Sequence, residues 1–194
     1  MRKENERKAI LNILKSPEKE YNANNLSKVI GITSMGILKI LRSLLKEDIL
    51  SLKKVSNINF YKINFSNPYS LDYSIFLLKD EAEHTSSYAK RWVLELRKIK
   101  SAEIGIIFGS VLSKKEKAND IDVLFVVKKE NLSYLKKEIE KLNIFNDKKI
   151  HAVYQTREDF SDNLIKNDIV LLDAIKGIVV FGEKEYVELL GGIK

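Results

Sequence analysis

The chain has 194 residues, 44% of them hydrophobic and 31% charged, enough for one large domain or two small ones of ordinary globular composition. It has no cysteine, which excludes disulfides and thiolate metal sites. No apolar run approaches the roughly 18–20 residues of a membrane span, and the opening MRKENERKAI lacks the apolar core of a signal peptide, so no membrane partner and a cytoplasmic location are expected. The net charge of +7 is confined to the first third: residues 1–66 hold 13 Lys/Arg and 6 Asp/Glu, whereas residues 67–194 hold 21 of each. Such a division predicts a basic module with an anionic partner, joined to a neutral module.

Glu4–Lys15 places Ile10, Leu11 and Leu14 at helical spacing and stops before Ser16-Pro17. A second helix is predicted over Ala23–Ile30, with Leu26, Val29 and Ile30 inward, ending at Gly31 where a left-handed residue is often needed. Thr33 or Ser34 can cap a third helix reaching about Leu45, with Ile37, Leu38, Leu41, Leu44 and Leu45 apolar. Ile49–Val55 and Ile58–Ile63 read as two strands of a hairpin around Ser56-Asn57.

Three helices, a tight Gly31-Ile32-Thr33 turn and a hairpin resemble the winged helix-turn-helix family over residues 3–66, giving a first domain of residues 1–66. The resemblance implies that the third helix is a recognition helix, with Ser34, Lys39, Arg42, Ser43 and Lys46 meeting a duplex, DNA above all. It also implies that the hairpin brings Lys53, Lys54 and Lys62 to phosphates, which position a protein without reading sequence. Solvated lysines on a small packing or dimerisation domain are the alternative, and a homodimer suits either reading.

Asn67-Pro68 punctuates the chain, and a helical pattern then runs from about Leu71 to Ile99. Its apolar positions are Ile75, Leu78, Ala82, Ala89, Val93 and Leu96, with Trp92 beside them and a polar middle over Lys79–Lys90. This assigns residues 67–100 to a linker helix, with His84 facing solvent, and residues 101–194 to a second domain.

That domain is organised around Ile104–Val127. A strand, Ile104–Phe108, runs into Gly109-Ser110, a lysine-rich excursion follows, and a second strand opens with Asp120-Ile121-Asp122. Residues two apart on a strand share a face, so Asp120 and Asp122 converge while Ile121 and Val123 turn away. Two like charges so close call for a cation, and oxygen ligands suit Mg²⁺. Gly109 permits close backbone approach to a phosphate, Ser110 adds a donor, and Lys114, Lys115 and Lys117 supply positive charge. Downstream, Ser133–Leu142 is a predicted helix, Lys149–Tyr154 a strand, Thr156 with Asp159 a helix cap, Asp168–Ile175 a helix, Ile178–Phe181 a strand and Lys184–Leu190 a helix. The fold class expected is α/β (α+β).

Strand, Gly109-Ser110, ten residues, then Asp120-Ile121-Asp122 inside an apolar strand resembles the polymerase-beta-type nucleotidyltransferase superfamily, over about residues 100–190. The resemblance implies a mixed sheet with flanking helices and an NTP whose phosphates are held at Gly109 and Ser110. It also implies Mg²⁺ (or Mn²⁺) on Asp120 and Asp122, and attack by a hydroxyl acceptor on the α-phosphate. Small members often pair with a toxin-like partner protein. The family commonly has a third catalytic carboxylate on the next strand, and His151 stands at that position. Two readings of His151 follow: a base or ligand in an active site, or the mark of an impaired nucleotidyltransferase within a DNA-binding regulator or antitoxin-type module.

Overall fold

The structure, a computed structural model, describes residues 4–192. Among the described residues, ten α-helices and two sheets make a mixed α+β chain. It divides into two compact units, Met1–Leu77 and Leu78–Lys194.

The first unit contains α1 (Glu4–Leu14), α2 (Ala23–Ile30), α3 (Ser34–Lys46), β1 (Leu50–Val55) and β2 (Ile58–Ile63). Asn22 opens α2 with a reciprocal capping box: its side chain accepts from the Asn24 and Asn25 amides, and the Asn25 side chain accepts from the Asn22 amide. Gly31, at φ 78° and ψ 33°, closes α2 in the left-handed conformation that glycine adopts freely. Thr33 then caps α3 through the Gly36 amide at 3.1 Å. Ile10, Leu14, Leu26, Ile37, Leu41, Leu44, Ile49 and Tyr61 are all buried. Val29, expected inward, is 53% exposed. At about 100° per residue the arc from Leu26 through Ile30 to Ser27 faces the core, and Val29 lies some 60° outside it. β1 and β2 pair from Leu50↔Ile63 to Val55↔Ile58, and Ser56 takes φ 53° as a two-residue hairpin loop requires.

α4 (Pro68–Glu83) carries the chain from one unit into the other, so the division falls inside a helix. The single helical pattern expected over Leu71–Ile99 resolves into α4 and α5 (Ser87–Leu96). The cause is local. Ser86 takes an extended conformation and its hydroxyl accepts from the Ala89 amide, starting a new helix where its side chain competes with continuation of the old one. His84 is exposed as expected, its Nδ1 2.9 Å from the Asp80 carbonyl oxygen.

The second unit continues with β3 (Ile104–Phe108), α6 (Ser110–Lys114), a 3-10 turn over Lys115–Lys117, β4 (Asp120–Val126), α7 (Leu132–Phe145) and β5 (Lys149–Gln155). It ends with α8 (Arg157–Ile165), α9 (Ile169–Ala174), β6 (Ile178–Phe181) and α10 (Glu183–Gly192). The excursion after Gly109-Ser110 is therefore mostly helical. The sheet order is β5-β4-β3-β6; β4 and β5 are parallel, and β3 is antiparallel to both β4 and β6. The parallel pair needs a crossover, which α7 supplies. Trp92, Val93 and Leu96 of α5 and Leu135 and Ile139 of α7 bury against Ile121, Val123, Phe125 and Ile150. α8, α9 and α10 pack on β5 and β3, with Phe160 edge-on to Tyr186 at 6.4 Å. Thr156 and Asp159 cap α8 reciprocally, the arrangement expected from their spacing.

Candidate functional site

Strand register builds the central group of the second unit. Phe108, the last residue of β3, pairs with Asp122, and Asp122 pairs across the parallel ladder with His151. Alternation along β4 adds Asp120 to the same face, while buried Ile121 and Val123 turn to the other. Asp120, Asp122 and His151 each offer a ligand atom, and these atoms lie within 4.8 Å of one another. His151 Nδ1 is 2.9 Å from Asp122 Oδ1. The Asp122 side chain is 22% exposed and that of His151 68%, so the group is anchored in the sheet and open to solvent at its imidazole end. Among the described residues no lysine or arginine forms an ion pair with either aspartate, and the basic group beside Asp122 is the His151 imidazole.

Gly109 completes this arrangement. Its φ of 73° and ψ of −150° lie in a region that is essentially glycine's alone. A Cβ there would also drive into the Asp122 carboxylate. The same glycine lines a cleft of about 330 Å³ whose walls include Phe108, Ser110, Ser113, Asp173 and Lys176. Gly109 is thus the point where carboxylate face and cleft meet.

Of the residues expected at the site, the fold brings together Asp120, Asp122, His151, Gly109 and Ser110. Lys114 and Lys115 are exposed, at the end of α6 and at a left-handed joint with φ 53°, and neither lines the cleft. Lys176 and Ser113 do, and the sequence reading missed both. No local pattern marks Lys176; it arrives because Ile178 of β6 pairs with Ile107, two residues before Gly109. The nearby carboxylates stand elsewhere. Asp147 pairs with Arg91 at 3.1 Å, and Glu158 lines a cleft of about 750 Å³ beyond the far ends of β4 and β5.

The first unit offers a different surface. Lys39, Arg42 and Lys46 fall at i, i+3 and i+7 on α3, all exposed, opposite the buried Ile37, Leu41 and Leu44. Met35, 74% exposed, continues this stripe. Ser34 stands about 100° around the helix from Met35, and its hydroxyl is 3.2 Å from that of Ser27. Ser43 donates to Glu47 Oε1 at 3.2 Å. The hairpin lysines do not share one face: Lys53 and Lys62 alternate with Lys54, which points to the opposite side. Lys53 is engaged with Glu20 at 2.8 Å and holds that carboxyl below its ordinary range by the hydrogen bond it donates.

No family model matches the chain, and no curated protein or solved structure matches it. No helix among the described residues is long and apolar enough to cross a membrane.

Proposed function

We propose that the second unit is a nucleotidyltransferase of the polymerase-beta type, moving a nucleotidyl group from an NTP to a hydroxyl acceptor, and that the first is a winged helix-turn-helix module for duplex DNA. The observation that carries the first part is the meeting of Gly109 with Asp122, which joins a carboxylate face to a polar cleft. Asp120, Asp122 and His151 are the residues that would hold a divalent ion, Mg²⁺ or Mn²⁺. Such an ion, when bound, stabilises charge on the α-phosphate and on the departing pyrophosphate.

The chain's own residues do the rest. Gly109 lets the backbone approach a phosphate, because no side chain intervenes. Ser110, Ser113, Asp173 and Lys176 line the cleft, with the Ser113 hydroxyl donating to the Ser110 carbonyl at 3.3 Å, and Lys176 is the residue that would set a positive charge against the β- and γ-phosphates. The acceptor oxygen forms the new bond to the α-phosphorus as the α–β bridging bond breaks. Its proton passes to water at this solvent-open face.

The charge partition supports the second part. Duplex DNA is the partner whose phosphates Lys39, Arg42 and Lys46 of α3 meet, with Lys62 on one face of the hairpin and Lys53 beside it once released from Glu20. A homodimer fits a symmetric DNA site.

The test is incubation of the full chain with Mg²⁺ or Mn²⁺, α-labelled NTPs, duplex DNA and a toxin-like partner protein. Label transfer that disappears in Asp120→Asn and Asp122→Asn supports the reading; transfer indifferent to both sinks it. One observation favours a second reading, a nucleotide-sensing regulator or antitoxin-type protein without turnover: His151 already occupies an oxygen of Asp122. His151→Asp separates the two. Greater transfer marks a degenerate site, and reduced transfer gives histidine a positive role.

A further inference from the structure

We infer that the Asp120–Asp122–His151 face selects a first-row transition dication, with Mn²⁺ as its probe, over Mg²⁺. This rests on reading that face as a metal centre and adds the identity of the ion. The donor set is two carboxylates and one imidazole nitrogen. Mg²⁺ takes oxygen ligands almost exclusively and sheds water reluctantly, whereas imidazole suits first-row transition ions.

The nitrogen is a fixed part of the set. His151 lies third in β5, held by the parallel ladder directly across from Asp122, and its neighbour Ile150 is buried in the core beneath. The ladder holds the backbone of His151 on this face, and the exposed ring turns about its own side-chain bonds. Cis donors on an octahedral ion with bonds of about 2.1 Å lie roughly 3 Å apart. Asp122 Oδ1 and His151 Nδ1 are 2.9 Å apart, so an ion can replace their hydrogen bond with little movement of either group. Trans donors on the same ion lie about 4.2 Å apart, and the whole set lies within 4.8 Å. Solvent exposure at His151 leaves further coordination positions for water or phosphate. Mg²⁺ would find two carboxylates here and a third donor it accepts poorly.

Carboxylate sites themselves favour Mn²⁺ over Mg²⁺, so the informative quantity is how the ratio of the two affinities responds to position 151. Titrate Mn²⁺ and Mg²⁺ separately, without nucleotide, into the full-length wild-type chain and into His151→Asp, His151→Ala and Asp122→Asn. Record nitrogen couplings in the pulsed electron paramagnetic resonance spectrum of bound Mn²⁺. The expected result is a Mn²⁺/Mg²⁺ affinity ratio that falls at least tenfold in His151→Asp, chiefly because Mg²⁺ binds more tightly. ¹⁴N coupling is expected in the wild type and absent from His151→Ala. Mn²⁺ that binds through Asp122 with no ¹⁴N coupling, or a ratio unchanged in His151→Asp, overturns the selectivity and leaves the metal centre standing. No saturable binding of either ion overturns both. Label transfer is not a readout here, so an enzyme without a found acceptor does not confuse the outcome.

Discussion

The two units carry their polar chemistry in opposite ways. In the first, Lys39, Arg42 and Lys46 project from the side of α3 that the core does not use, and Ile37, Leu41 and Leu44 bury without reference to them. In the second, Asp122 is fixed from three directions: by Phe108 across an antiparallel ladder, by His151 across a parallel one, and by a glycine whose missing side chain makes room for its carboxylate. A surface of the first kind can be rewritten without disturbing its fold. A site of the second kind shares its geometry with the backbone, so a change there acts on function and stability at once.

The largest test of this contrast is Asp122→Asn, which keeps the shape and removes one charge. Transfer is expected to fall about 10³-fold, the scale of losing a preorganised electrostatic contact. The thermal midpoint measured without divalent ions should hold or rise, because repulsion with Asp120 is relieved. Activity within tenfold of the wild type would remove the catalytic claim. Next in size is Gly109→Ala. It asks alanine to adopt a glycine-only conformation, and its Cβ meets Asp122. The expected destabilisation is about 1–3 kcal/mol from the backbone strain, read as a lowered denaturation midpoint together with reduced transfer. A variant as stable as the wild type would show that Asp122 is held less tightly than the geometry demands.

The matching experiment on the first unit is the triple change of Lys39, Arg42 and Lys46 to alanine. Stability should shift by no more than about 0.5 kcal/mol per site, as for exposed residues elsewhere. Affinity for duplex DNA should fall, and the slope of log K against log salt should become shallower by about three phosphate contacts' worth, roughly 2.7. If the slope is unchanged, α3 is not the contact face. If the fold weakens markedly, the independence claimed for this surface is wrong.

Much of this was legible in the sequence because the deciding signals are local. Asn67-Pro68, Gly31, Thr33 and Thr156 with Asp159 mark helix ends through their own backbone chemistry, and period-2 alternation over Asp120–Val126 placed both aspartates on one face. That His151 stands at a third ligand position on the next strand was expected only through a family resemblance; its place directly across from Asp122 comes from the ladder register. What the sequence hid depends on distant chain segments or on competition between them. The Leu71–Ile99 pattern is helical by periodicity on both sides of Ser86, and only the cap decides that two helices form. Lysines close in sequence to Gly109 drew attention to Lys114 and Lys115, whereas the cation lining the cleft is delivered by the pairing of β6 with β3. Val29 was misassigned because an eight-residue helix buries too narrow an arc for its spacing to decide.

The smallest effect sharpens the contrast at the level of single ion pairs. Glu83 ends α4 and binds Lys90 and Arg97, the latter at 2.7 Å, while Arg97 Nε also donates to the Val180 carbonyl at 3.0 Å. Hydrogen bonds from Lys90 and then Arg97 hold the Glu83 carboxyl down to about 2. Its folded value lies below its unfolded one, so its contribution to stability is complete above about pH 4.5 and is lost as the pH falls toward about 2. Glu83 is itself 49% exposed and screened by solvent, but its two partners are only 24% and 32% exposed, whereas Glu20 in the first unit has a single partner, Lys53, 56% exposed and more fully screened. Glu83→Gln should therefore lower the thermal midpoint at pH 7 more than Glu20→Gln does, and its deficit relative to the wild type should close between pH 4.5 and 2. A deficit that persists unchanged at pH 2 would assign the effect to packing of the side chain rather than to its charge. A larger loss from Glu20→Gln would reverse the contrast, making the first unit the one whose polar contacts hold its backbone in place.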